Sequence, residues 1–350
     1  MSAARTGHDR DAPSAPRRTI AVTLGDPGGI GPEVIAKALS DRSLRMRARW
    51  RILGPAAALQ AAAEAAGLEP YWWRVDHASP VIDTTAVHDV VVLDYAEAEP
   101  PFPARATKAG GELSFRLVED AIALARRPAA DPLHAAAIVT GPISKHAWSL
   151  AGRGQYPGHT ELLATRFGAK RSGMMFVTPR LRVILATAHI PLMDLRNILT
   201  IGRVFDAIDL GAGACRRLGI TGPRIAVCGL NPHAGEHGLL GDEEQRLIEP
   251  AIRAAAEGGI DVRGPFPADT VFNAAIAGAF DLVVAMYHDQ GLIPVKLLDR
   301  DRAVNVTVGL PITRTSPDHG TAFDIAGRNR ADPGSMAAAM ALAVEMAAST

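Results

Sequence analysis

The sequence predicts an α/β fold built on a mainly parallel sheet and organised as two lobes. Short β-branched runs recur between Ala-, Leu-, Glu- and Arg-rich stretches of helical period, the alternation that βα units produce. A length of 350 residues gives room for about two domains, each with a sizeable core. Several apolar runs end in a polar or Gly/Pro cluster, the place where ligands collect in open parallel sheets.

Taken in order, residues 1–18 (MSAARTGHDRDAPSAPRR) are polar and Pro/Ala-rich with no apolar segment behind them, and are expected to form a disordered tail. Strands are expected at about 19–25, 50–54, 89–94, 135–140, 174–178, 182–188, 224–229, 281–286 and 303–308. Helices are expected at 32–40, with Pro32 in the first turn, and at 56–66, 111–127, 159–167, 203–217, 242–257, 270–278 and 334–348. The Pro- and aromatic-containing segment 68–88 has no period and is expected to be loop.

Composition narrows the function. Thirty-seven basic side chains balance 37 acidic ones, so no net field draws nucleic acid or anionic lipid. No stretch reaches the ~18 to 20 uninterrupted apolar residues of a bilayer span. Two cysteines, Cys215 in a helix-like run and Cys228 in a strand-like one, supply neither a disulfide framework nor a CxxC metal site, and a reducing cytoplasm fits best.

The chemistry-bearing residues fall at expected strand ends. His189, His233 and His288 follow three apolar runs, and three neutral imidazoles with an open position suit a catalytic divalent transition metal. Each taken singly could instead cap a loop. Gly25-Asp26-Pro27-Gly28-Gly29-Ile30-Gly31 joins a strand to a helix; it is either a plain tight turn or an anion receptor, with Asp26 expected to point into the cleft. His159 and Thr160 sit at a helix start, which is an N-cap or a carboxylate or phosphate site. Lys296, Asn305 and Arg314 are expected to flank one strand. Together they suit phosphate or carboxylate, although Lys and Arg alone are ordinarily solvated; an amide at a buried strand position such as Asn305 needs partners. Lys145 and Asp269 lie near strand ends as proton carriers or ion-pair members.

The segments GDPGGIGPE, TGPISK, YPGHTEL, ATAHIPL, GLNPHAGE, ADT, AMYHDQG, AVNVTVGLP and RTSPDHGTAFDIAG, in this order, together resemble the 4-hydroxythreonine-4-phosphate dehydrogenase family of pyridoxal phosphate biosynthesis. TGPISK and GDPGGIGPE depart from that family's commoner TAPINK and GDPAGIGPE. The resemblance implies an isocitrate/isopropylmalate-dehydrogenase-like fold with a cleft between two α/β lobes. These would be 19–150 with 320–350, and 151–319, the second carrying most metal and substrate ligands. It implies a homodimer with the site at the interface, and one divalent metal per subunit (zinc, magnesium or cobalt) on His189, His233 and His288. A phosphorylated small-molecule substrate would meet His159, Thr160, Lys296, Asn305 and Arg314. The HGTAFDIAG loop is similar to the adenine-side loop of β-decarboxylating dehydrogenases, which implies NAD or NADP binding at His319, Gly320, Thr321 and Asp324.

The expected reaction is oxidation of a secondary alcohol β to a carboxylate, followed by loss of carbon dioxide, with the metal as Lewis acid in both stages. Lys145 and Asp269 are the candidate bases. Rival readings are a dehydrogenase of 4-phospho-threonate or 4-phospho-erythronate, a cis-dihydrodiol dehydrogenase that would leave the phosphate anchors idle, a phosphate acyltransferase that would not need three strand-end histidines, and a non-catalytic metal-binding protein.

Overall fold

The computed structural model describes residues 17–348, so the expected tail, apart from Arg17 and Arg18, lies outside the described residues. Twelve strands form one continuous sheet: β1 Thr19–Thr23, β2 Arg49–Gly54, β3 Trp73–Asp76, β4 Val90–Asp94, β5 Ala137–Thr140, β6 Gly173–Val177, β7 Arg182–Leu185, β8 Ile225–Cys228, β9 Val262–Phe266, β10 Leu282–Ala285, β11 Val304–Val308 and β12 Thr313–Pro317. Their spatial order is β3-β4-β2-β1-β5-β12-β11-β6-β7-β10-β8-β9.

Two parallel blocks of opposite direction meet in this sheet. Strands β3 to β12 in that order run parallel, and so do β7, β10, β8 and β9. Between them, β12 with β11, β11 with β6, and β6 with β7 pair antiparallel. Inner strands of the two blocks include runs such as VVVLD and LVVA, buried at every position, as expected of strands covered on both faces. Helices supply the cover: Lys108–Ala125 lies over β1, β2 and β5, Gly334–Ala348 over β5, β11 and β12, and Ile201–Arg217 over β6, β7, β10 and β11. Among the described residues, no helix is long and apolar enough to cross a membrane.

Nine expected strands and most expected helices stand where the hydrophobic period placed them; Cys215 and Cys228 are buried free thiols in a helix and a strand. The departures have physical causes. Segment 68–88 contains β3 and a 3-10 helix, Ile82–Val87; β3 is an exposed edge strand, so no apolar alternation marks it. The other edge, β9 (VRGPF), carries a proline that an edge tolerates and an interior strand does not. Strand β12 (TRTSP) is buried along its whole length yet has no aliphatic residue, so pattern alone reads it as loop. The expected helix 242–257 is a π-helical turn, Glu244–Ile248, continued by Glu249–Glu257. Finally, Lys296 does not flank the strand of Asn305: it rides on an unexpected helix, His288–Asp299, whereas Asn305 and Arg314 lie inside β11 and β12.

Candidate active site

The antiparallel seam forms the floor of the site. Residues directly opposite on neighbouring strands share a face, and the register sets Ser316, Asn305 and Phe176 in one row and Arg314, Thr307 and Met174 in the next. All of these but Thr307 line a cavity of about 300 Å³. Its walls come from the ends of both parallel blocks: Thr140 to Lys145 after β5, His189 after β7, and His288 after β10. The start of the helix His159–Phe167 and the loop after β12 complete it.

Arg314 is the electrostatic centre of the floor. It is 2% exposed; its guanidinium donates to Thr307 Oγ1 at 2.9 Å and to Thr140 Oγ1 at 2.6 Å. No carboxylate among the described residues lies within ion-pair distance of it, and its Nε is buried without a partner. Burial pulls its pKa down to about 10, with Glu161 on the cavity wall pulling the other way. Three further buried polar atoms of cavity-lining residues lack partners among the described residues, His159 Nε2, Asn305 Oδ1 and His319 Nε2. Burial first and Arg314 second hold His159 well below the usual histidine range, so its ring is neutral. Thr160 Oγ1 meets Thr307 Oγ1 at 3.3 Å, and Lys296 Nζ meets Asp318 Oδ2 at 3.1 Å on the rim. A fixed cation whose unmet hydrogen-bonding capacity faces a cavity has the chemistry to receive an anion.

His189 and His288 stand on another wall, ring centroids 5.7 Å apart. Desolvation of the His189 ring, then Lys145 and His288, lowers its pKa against a smaller opposing pull from Glu161. His233 is placed differently. It is exposed, its Nδ1 meets Glu236 Oε2 at 3.0 Å, which raises its pKa, and it does not line the cavity. Strands β7, β10 and β8 are nevertheless consecutive neighbours, so the three histidines leave the same end of one parallel block. Imidazole donors fit a divalent transition cation, but among the described residues no group of three His, Cys, Asp or Glu converges to hold one.

Of the remaining expected residues, Lys145, His319 and Gly320 line the cavity. Asp269 lies on the helix Ala268–Ile276, off the cavity wall; Thr321 and Asp324 lie in the loop after β12, also off it. Burial lowers the His319 pKa, opposed by the Gly320 carbonyl and by Asp318 and Asp332. Asp26 does not point into the cleft: it is 1% exposed, accepts from the Gly28 amide at 3.1 Å and faces Gly110. Sequence reasoning missed Thr140 and Thr307, which orient Arg314, and Asp318, which pairs with Lys296. The signal was present in the hydroxyls set within AIVT and VNVTV, otherwise apolar runs.

The family model described as pyridoxal phosphate biosynthetic protein PdxA matches residues 46–343. A 4-hydroxythreonine-4-phosphate dehydrogenase of Geobacter metallireducens is 45% identical over 94% of this chain and 95% of its own. A D-threonate 4-phosphate dehydrogenase of Cupriavidus necator is 44% identical over 94% and 97%. A crystal structure of 4-hydroxythreonine-4-phosphate dehydrogenase from Klebsiella pneumoniae superposes with a TM-score of 0.83 at 42% identity, covering 95% of this chain and 99% of that one. At 16% identity and a TM-score of 0.51, over 93% and 83% of the two chains, an apo β-decarboxylating dehydrogenase from Thermococcus kodakarensis shares the fold.

Proposed function

The chain belongs to the pyridoxal phosphate biosynthetic protein PdxA family, and from that premise we propose that it oxidises the 3-hydroxyl of 4-hydroxythreonine 4-phosphate and decarboxylates the product to 3-amino-2-oxopropyl phosphate. The observation that carries the reading is Arg314, a buried guanidinium with no carboxylate partner, set beside the orphaned His159 Nε2 and Asn305 Oδ1. A phosphate ester accepts from the guanidinium and from His159 Nε2–H, while Asn305 Oδ1, an acceptor, is left for a hydroxyl or ammonium donor of the substrate. Thr160 and Lys296 extend the same receptor toward the rim. With the phosphate fixed there, the substrate's reacting carbon is held toward the His189 and His288 wall, which converts a diffusional encounter into an oriented one.

His189, His233 and His288 would hold one divalent cation (zinc, magnesium or cobalt), and such an ion would supply Lewis acidity toward the oxygen that is oxidised. NAD or NADP supplies the hydride acceptor, against the loop of His319, Gly320, Thr321 and Asp324. Thr321 is fixed for this by its carbonyl, which accepts from the Ile30 amide at 2.9 Å. Lys145, on the cavity wall, is better placed than Asp269 to take the hydroxyl proton. The subunit works as a homodimer with the site at the interface: Met193, Leu239 and Leu297, each about four-fifths exposed or more, lie on the segments that carry the three histidines.

D-threonate 4-phosphate is the second reading, because relatives so named stand as near in identity. Purified protein with metal and NAD or NADP is offered 4-hydroxythreonine 4-phosphate, 4-phospho-threonate and 4-phospho-erythronate, with reduced-nucleotide absorbance followed. Faster turnover of the aminated substrate is expected; turnover of the non-aminated acids alone would move the protein to sugar-acid catabolism. Arg314→Met is expected to lower kcat/KM about 10²- to 10³-fold, from the ~3–4 kcal/mol of a charge-assisted phosphate contact. Its fold should hold, since an apolar replacement of a buried charge is often neutral. An unchanged kcat/KM would remove Arg314 from the site.

A further inference from the structure

We infer that Asp318 is a positioning residue: it holds the Lys296 ammonium at the cavity rim, where that ammonium meets the substrate's phosphate, and Ser335 holds Asp318 in turn. The inference rests on the reading of the cavity as a phosphate-ester site. Lys296, Asp318, Asn305 and Arg314 all line this one cavity. Its cations are fixed in different ways. Arg314 is set by burial and two threonine hydroxyls. Lys296 stands near the end of the helix His288–Asp299 with its side chain 46% exposed, and its one ion pair among the described residues is to Asp318 Oδ2 at 3.1 Å. An ammonium carries three N–H groups, so it can face one carboxylate oxygen and still present donors to a phosphate.

Asp318 is the better-held partner: 14% of its side chain is exposed, and it follows directly on β12. Its backbone N donates to Ser335 Oγ at 3.1 Å, and Ser335, buried at the start of the helix Gly334–Ala348, donates that hydroxyl to Ala303 O at 2.7 Å. Ala303 directly precedes β11. One hydroxyl thus ties the loop after β12 to the start of β11, the two strands that carry Arg314 and Asn305. Thr315 Oγ1 adds a second tie from β12 to the same helix, donating to Ala339 O at 2.8 Å. Lys296 comes from a helix that follows β10, in the other parallel block, and the pair with Asp318 holds it in register with the floor.

Charge by itself gives a carboxylate no reason to stand here. Beside a phosphate it repels the ligand and lowers the net positive charge of the receptor. Geometry supplies the reason. A lysine ammonium rides on a flexible four-carbon stem, and a side chain that must be immobilised as the ligand arrives weakens binding. Asp318 immobilises it beforehand. Glu161, the other carboxylate on the cavity wall, forms no ion pair among the described residues and does not share this task. Repulsion and preorganisation act on phosphate affinity with opposite sign, so the response to removing the charge tells them apart.

The test is calorimetric titration of the full-length protein, with a divalent cation present and no nucleotide, by 4-hydroxythreonine 4-phosphate and by 4-phospho-threonate, beside steady-state turnover with NAD and thermal unfolding. Asp318→Asn keeps the size and the backbone link to Ser335 and loses the charge. It is expected to weaken binding of the ester that the wild type takes up about 3- to 10-fold, and to raise KM by that factor with kcat nearly unchanged. In the Lys296→Met background the same substitution should leave binding unchanged or tighten it, because the carboxylate then has no ammonium to hold and only repels the phosphate. Ser335→Ala, which keeps both charges, should weaken binding in the same direction as Asp318→Asn. Binding in Asp318→Asn as tight as in the wild type or tighter, a loss confined to kcat, or an equal loss with and without Lys296 would overturn the role of Asp318 alone. A wild-type protein that binds neither ester would overturn the phosphate-site reading and this inference with it.

Discussion

At the residue scale, the decisive property is unmet hydrogen-bonding and charge. Arg314 keeps its guanidinium in a buried setting with two threonine hydroxyls and no carboxylate partner among the described residues, an arrangement that costs stability and that a bound anion would offset. Asp26 is another buried charge with no ion-pair partner among the described residues, away from the cavity. Burial raises its pKa from 3.8 to about 6, against the lowering effect of the Gly28 amide. A raised carboxyl pKa means that the native state binds this proton more tightly than the unfolded chain does, so stability should rise as pH falls through 6 toward 4. Asp26→Asn keeps the acceptor for Gly28 and removes the charge. Urea denaturation at pH 8 should show the variant more stable by up to about 3 kcal/mol, with the gap closing by pH 4; a gap independent of pH would show that the ionised carboxylate is not destabilising there.

At the element scale, close approach decides what composition cannot. Gly111, in the helix Lys108–Ala125, faces the short helix Lys145–Leu150 so tightly that a Cβ would lie 2.0 Å from the Ala147 carbonyl oxygen. Gly213, in the helix Ile201–Arg217, has only the end of Arg216 within 4 Å, at 3.9 Å. Both positions gain helix propensity on replacement by alanine, about 1 kcal/mol. The outcomes should nevertheless have opposite sign. Gly213→Ala is expected to raise the unfolding midpoint, and Gly111→Ala to lower it by about 1–3 kcal/mol of overpacking and to push Lys145 from the cavity wall. Chemical denaturation of the two variants, with KM for the substrate, checks both; equal stabilisation would show that the helices separate at no cost.

At the scale of the whole molecule, the two parallel blocks bring opposite groups to one seam, the anion receptor from β12 and β11 and the imidazoles from β7 and β10. Ile293 and Leu297, four residues apart on one face of the helix His288–Asp299, are 58% and 81% exposed beside these imidazoles. Leu297→Asp is expected to shift the protein from dimer to monomer in sedimentation velocity and to reduce activity with it; a fully active monomer would refute the interface site.

The α/β class and nine of the strands were legible in the sequence, because burial on both faces enforces continuous apolar runs; polar residues at their ends and within them stood out, and of those singled out His189, His288 and Asn305 line the one cavity whereas His233 does not. Strand β12 was not legible: its Arg314 and Thr315 are held by partners on β5, β11 and the last helix, which are distant in sequence. The same holds for Thr140, Asp318 and Ser335, unremarkable in sequence until the fold sets their partners beside them. Hydrophobic period is a local property written residue by residue, so the sequence alone determined the class of fold and the kinds of chemistry present. Which side chains share a face, which strand ends adjoin and which buried groups stay unpaired depend on non-local pairing, and only the tertiary structure decided them.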